Sequence, residues 1–242
     1  MKIYKFKDLS DDKVHSHFFQ ILFENKIWCA SPESLNDPEE FQFKIDYCPS
    51  ERTEFLLGRM IEKLGRSKIP PKMVAAQALR NNRLEKFAAP LMQGIVETCR
   101  STIGVTSFTC TYVGAELWEK YGGSGNGVVL EFEVLDSSIG NMFHHVEYVL
   151  ERIFHLDIFI ESQIGDSLPI FKKILCTKTQ HWAHEQEIRF LGKNSNINFT
   201  LECPITKVIL GDLVSSDIVN RVMMYCEHKS INVERMRISD AE

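Results

Sequence analysis

The sequence predicts an α+β fold: a mixed, largely antiparallel sheet core with helices packed around it, and a helical insertion at about 51–99. Three observations predict it. Short β-patterned runs stand at both ends of the chain, the longest helical patterns fall between them, and no strand–helix–strand repeat runs through the whole. No Gly/Ser-rich linker interrupts the 242 residues, so the reading is one α+β domain over 1–242 with 51–99 as an inserted helical layer.

The elements follow in chain order. Residues 2–6 alternate as a first strand. Ser10-Asp11-Asp12 supplies an N-cap, and Val14, Phe18, Ile21 and Leu22 continue at helical spacing to about Glu24. A short strand covers 26–30. Pro32, Asn36-Asp37 and Pro38 punctuate a turn over 31–40, because Asx side chains bond nearby backbone and proline fixes φ. Phe41-Gln-Phe-Lys-Ile alternates as an edge strand would. Residues 51–99 are helical, with a break at Lys68-Ile-Pro70-Pro71 and an apolar stripe through Val74, Ala78, Leu84, Phe87, Leu91 and Ile95.

A central strand is expected at 103–109, a short helix at 114–121, a glycine turn at 122–127 and a strand from Val128. A further strand is read at 145–150 and helices at 151–163 and 168–181. Strands follow at 187–191, 197–201 and 208–210, then a helix over 215–229 and a strand over 232–237.

Net charge is −5 and the pI about 5.9, a poor match for non-specific nucleic-acid binding, which needs clustered Lys and Arg. The seven cysteines are scattered and form no CxxC, as reduced thiols of a cytoplasmic protein would be. No apolar run reaches the ~18 residues of a membrane span, and the first residues lack a signal-peptide core. The length suffices to bury a sizeable core without a metal or disulfide staple.

Chemistry concentrates in Trp182-x-x-Glu185-x-Glu187-x-Arg189, preceded by Lys178. On a strand Glu187 and Arg189 share a face, and Glu185 joins them at the same period of two. Two carboxylates and a guanidinium can polarise a hydroxyl and steady a developing cation. The alternative is a solvated ion-pair row on an edge strand. Ser107-Phe-Thr109 offers two hydroxyls on one strand face, which can orient a ligand or simply end the strand. Asn36-Asp37-Pro38 is a turn with or without a ligand. Trp118 and Tyr121, at i and i+3, share a helix face and can stack on a flat ring or pack in the core. The glycines after them lack the Gly-Lys-Ser/Thr ending of a phosphate loop and precede a strand. His181, His184 and Glu185 cluster, as do His144-His145, but neither has a zinc-site spacing, so no metal is assigned. Glu24-Asn-Lys26 matches only the tail of a nuclease signature.

Taken in order, Tyr4-Lys5-Phe6, Ser31-Pro32-Glu33-Ser34-Leu35-Asn36-Asp37-Pro38, Ser107-Phe108-Thr109, Trp118-Glu119-Lys120-Tyr121, and Lys178 with Trp182, Glu185, Glu187 and Arg189 resemble a large, mostly bacterial domain-of-unknown-function family. Leu35 stands where that family has Phe, and Ser107 where it has Cys. A more distant similarity is to ADP-ribosyltransferase-like domains, which order an early basic or His residue, a Ser/Thr/Tyr strand and a late Glu-x-Glu pair. Lys5, Ser107/Thr109 and Glu185-Gln-Glu187 stand in that order, with Lys in place of the usual Arg or His.

That resemblance implies an NAD-utilising enzyme, or a domain derived from one, in bacterial defence or toxin–antitoxin systems. Glu187 would stabilise the ribosyl cation and Glu185 would activate the acceptor. Tyr4, Lys5, Asn36, Asp37, Ser107, Thr109, Trp118, Tyr121, Lys178, Trp182 and Arg189 would bind substrate. NAD enters as substrate, and no cofactor is firmly implied. The alternative is a non-catalytic module gripping a small nucleotide or a protein partner, and a third reading is a metal-dependent nuclease.

Overall fold

The structure is a computed structural model describing the chain except residues 36, 66–67, 81–82 and 238–242 and the side chain of residue 87. The strands are β1 (Lys2–Lys7), β2 (Lys26–Cys29), β3 (Lys44–Asp46), β4 (Gly104–Thr109), β5 (Val128–Glu133), β6 (Phe143–His145), β7 (Glu147–Val149), β8 (Ile153–His155), β9 (Thr177–Thr179), β10 (Glu187–Gly192), β11 (Ile197–Thr200), β12 (Ile205–Gly211) and β13 (Asn232–Met236). The helices are α1 (Asp12–Glu24), α2 (Thr53–Leu64), α3 (Pro71–Arg80), α4 (Leu84–Thr102), α5 (Ala115–Tyr121), α6 (Leu156–Ile164), α7 (Leu168–Leu175) and α8 (Ser216–Lys229). The α+β class is as predicted. The chain condenses into two compact units: Met1–Ser31, Gly104–Val146 and Trp182–Glu242 form the first, and Pro32–Ile103 with Glu147–His181 the second.

The first unit is built on a seven-stranded sheet in the order β13-β12-β5-β1-β4-β10-β6. All its pairings are antiparallel except β12 with β13, which α8 connects as a parallel crossover. Alternation along each strand gives the sheet two faces. On one, Ile3, Phe108, Leu130, Phe132, Ile188 and Phe190 join Phe18 and Leu22 of α1 and Val222 and Cys226 of α8 in the main core. On the other, Tyr4, Phe6, Val129 and Ile209 pack against Leu117 and Trp118 of α5.

α1 starts where Asp11, extended at φ −112, accepts the Lys13 amide, and it stops at Asn25 in the left-handed region. β2 and β11 form a separate antiparallel ribbon beside the main core.

The second unit is mostly helical. Leu56, Leu57, Met60 and Ile61 of α2 pack with Ala75 of α3, Leu84 and Ala88 of α4, and Leu156 and Ile160 of α6. The insertion expected at 51–99 is therefore a set of helices sharing one core with residues far along the chain.

Here several local expectations are corrected. Residues 151–163 do not run as one helix: Ile153–His155 is a strand paired in parallel with Lys44–Asp46, and α6 begins only at Leu156. The helix expected over 168–181 stops at Leu175, because Thr177–Thr179 pairs in parallel with Glu147–Val149. The strand expected over 145–150 is split between β6 and β7. All seven cysteines are unbridged, and among the described residues no helix is long and apolar enough to cross a membrane.

Candidate active site

β1, β4 and β10 are neighbours in the sheet although the chain makes them far apart. Register aligns Tyr4 with Thr109 and Thr109 with Glu187, while Tyr4 also stands opposite Glu131 of β5. Directly opposed residues share a face, so Glu131, Tyr4, Thr109 and Glu187 form one row across four strands. Ser107 and Arg189, opposite each other, stand beside it on the same face.

This is not a solvated ion-pair row. Glu187 is 5% exposed and Arg189 1%. Arg189 donates Nε–H to Glu187 Oε1 at 2.8 Å, a pair one strand pleat apart on a single face. A carboxylate at this depth is tolerated because a charge is set against it.

Glu185 reaches its place differently. It ends a 3-10 turn, Gln180–Glu185, and Gln186 then adopts φ 42, so the strand begins only at Glu187. The expected period-two relation between Glu185 and Glu187 does not hold, because a left-handed residue breaks it. Glu185 is buried, and its Oε1 accepts Lys120 Nζ at 2.8 Å and the Tyr121 hydroxyl at 2.5 Å, both from α5. The Lys120 ammonium also lies 4.0 Å from the centre of the half-exposed Trp182 ring. Trp182, Lys120, Tyr121 and Glu185 thus form an aromatic, charged cluster on the first unit.

Lys5 faces away from Glu187. As the neighbour of Tyr4 it points to the opposite side of the sheet, where its Nζ donates to Ser107 O at 2.7 Å and stands 5.8 Å from the centre of the Phe108 ring. It retains some surface, yet burial around the ammonium pushes its pKa down to about 7, Lys7 adds to the shift, and Glu187 and Cys29 oppose it. The expectation that Lys5 joins Thr109 and Glu187 in one site is corrected by the β1 register, which turns Lys5 to the other sheet face; Tyr4, also expected to bind substrate, stands in the row with them.

The Tyr4 hydroxyl bonds Glu131, and burial followed by that carboxylate raises its pKa to about 12. Burial alone would raise the Glu131 carboxyl, but bonds from Lys2 Nζ at 2.9 Å and Thr206 Oγ1 at 2.7 Å bring it below the ordinary range. Thr109 Oγ1 donates to Thr111 O at 2.9 Å, and Ser107 is half-buried. Trp118 is corrected from ligand contact to core: it is wholly buried, edge-on to Phe6 at 5.4 Å, with its indole N–H on Tyr112 O.

The remaining expected site residues belong to the second unit. Asp37 is buried and accepts the Glu39 amide at 2.8 Å, closing the Asx turn read from the sequence. Lys178 is buried in β9 opposite Tyr148 of β7. Asn36 lies outside the described residues. Among the described residues no group of three or more His, Cys, Asp or Glu is placed to hold a metal.

Sequence reasoning missed Glu131 and Lys120. Glu131 carries a signal, a lone carboxylate inside Val128-Val-Leu-Glu-Phe. Lys120 sat within the Trp118–Tyr121 motif without a role, since its partner Glu185 is distant in sequence.

No family model, no curated protein and no solved structure matches this chain.

Proposed function

We propose that the sheet face carrying Tyr4, Thr109 and Glu187 is the centre of an NAD-utilising, ADP-ribosyltransferase-like site. The observation that carries this reading is the register row: three strands from the beginning, middle and late chain lie side by side, and a Tyr, a Thr and a Glu fall in line across them. In this reading the carboxylate of Glu187, oriented by its bond from Arg189, stabilises the cationic ribosyl species left when nicotinamide departs. A carboxylate shielded from water does this more strongly than an exposed one. Glu185 takes the acceptor proton, and the half-exposed Tyr121 and Trp182 offer flat surfaces to the nucleotide. Because Lys5 faces the opposite side, no role in the NAD clamp is assigned to it.

The test is incubation of the protein with NAD and measurement of nicotinamide release. Release that disappears in Glu187→Gln, with the melting temperature of that variant measured alongside, is the expected result. No release from the wild type by this assay sinks the enzymatic reading.

A second reading, a non-catalytic nucleotide-binding module, is favoured by one specific observation. Lys120 stands over Trp182 on a half-exposed surface and is anchored by the buried Glu185, a cation beside a stacking ring. NAD binding that survives Glu187→Gln but fails in Trp182→Ala, without turnover in either, selects this module.

A further inference from the structure

The second unit contains a groove of about 460 Å³, built from residues that neither reading above uses. One wall is the segment 41–47: Phe43, Ile45 and Tyr47 alternate along and beside β3 and so share a face, and Phe41 joins them from the turn before it. The other wall is α4, whose Ala89, Met92, Val96 and Arg100 recur at helical spacing. Phe43 is braced from behind by Phe154 and Phe159, with ring centres 5.0 and 5.9 Å away.

The Arg100 guanidinium lies 4.7 Å from the centre of the Phe41 ring. Its Nε is buried and makes no hydrogen bond among the described residues, and the Glu33 carboxylate is 3.9 Å from it, beyond hydrogen-bond distance. The side chain as a whole is 41% exposed and Glu33 stands within ion-pair distance, so what Arg100 offers an anion is its positive charge and one buried Nε–H that has no acceptor among the described residues. Phe41 itself adopts φ 65, a region that a bulky L-residue rarely enters. Backbone held there by its surroundings collects at ligand sites.

We propose that this groove binds a small monocarboxylate with a flat apolar body. The carboxylate meets Arg100, whose planar fork suits it, and the body lies against Phe41, Phe43, Tyr47 and Met92. The volume falls within the range of small-molecule pockets. A single negative charge is specified because Glu97, one turn before Arg100, also lines the groove. Its Oε1 is held by Gln93 Nε2 at 2.9 Å, so the acid stays in place to repel a dianion.

The test is calorimetric titration of the full chain with 2-naphthoate and, separately, with 2-naphthamide, which has the same ring without the charge. Naphthoate is expected to bind saturably at one site, and naphthamide about tenfold or more weakly, the difference a charged hydrogen bond makes. Arg100→Gln is expected to weaken naphthoate to the level of naphthamide. Ala89→Trp, which fills the groove from an exposed helix position, is expected to abolish both. Thermal melts establish that each variant is folded, and if one is not, the other decides. Absence of saturable naphthoate binding, equal binding of the two probes, or naphthoate binding unchanged in a folded variant overturns the proposal.

Discussion

Arg189 and Glu187, two residues apart on β10, form a side-chain ion pair 2.8 Å long on a sheet face that water hardly reaches. In a strand, residues i and i+2 point the same way, so this contact follows from the sequence spacing alone. Its burial does not. That comes from β4 and β6 on either side of β10, which make it an interior strand. A pair that would contribute little at the surface becomes one whose halves cannot be removed separately.

The two residues are therefore expected to behave non-additively. Arg189→Met leaves the Glu187 carboxylate without its guanidinium and should destabilise by about 3–5 kcal/mol. Glu187→Gln removes the negative charge that faces the Arg189 guanidinium and should also be costly. The double variant should lose much less stability than the sum of the two single losses, because it leaves neither charge uncompensated. Urea unfolding of the four proteins measures this, and additive losses would mean that the two side chains act independently.

Glu185 gives a ranking instead. Tyr121 and Lys120 both donate to its Oε1, but the Lys120 side chain is 35% exposed. Screening limits what an exposed cation contributes, about 1 kcal/mol or less. Loss of a hydrogen bond to a buried charge costs roughly 1.5–3 kcal/mol. Tyr121→Phe should then destabilise more than Lys120→Gln in the same denaturation experiment, and the reverse order would place the carboxylate in water.

These two relationships mark what was legible in the sequence. Local pattern identified β1, β4, β5 and β10, and a sheet core with helices packed around it, but as one domain rather than two compact units. It also placed Glu187 with Arg189. It failed where a non-local partner decides: Ile153–His155 and Thr177–Thr179 are strands because β3 and β7 pair with them, and short segments of three residues have no periodicity of their own to read. The assembly of 147–181 with 32–103 is non-local in the same way.

The site was legible as an order of motifs but not as a set of faces. Period two establishes that Tyr4 and Lys5 point to opposite sides, and only the register with Thr109 decides which of them meets Glu187. Glu185 was displaced by the positive φ of Gln186, a residue type with no strong preference for that conformation.

Gly122 follows α5, with φ −103, so its backbone needs no glycine. The requirement is space: a Cβ there would lie 2.6 Å from Trp118 Cε3 and 3.0 Å from Trp118 O. Trp118 is wholly buried against Phe6 and has no room to retreat. Gly122→Ala should destabilise by about 1–3 kcal/mol, the usual cost of overpacking. A neutral effect on the melting temperature would show that the end of α5 yields.

Lys5 makes stability depend on alkaline pH, with a sign that can be worked out. Its folded-state pKa, about 7, lies below the ordinary 10.5, because burial disfavours the ammonium. Between those values the unfolded chain binds a proton there that the native state has released. Unfolding then takes up protons, so this group's contribution to stability rises as pH goes from about 7 to about 10.5 and is flat outside that window. Below pH 7 the ammonium is charged in both states and its burial penalty is fully present. Lys5→Met removes the titrating group while keeping the apolar stem. The stability gap between Lys5→Met and wild type should be widest near pH 6, in favour of the variant, and should narrow steadily toward pH 10. Urea midpoints of the two proteins at matched ionic strength across that range measure the gap, and a gap independent of pH would mean that Lys5 keeps an ordinary ammonium in the fold.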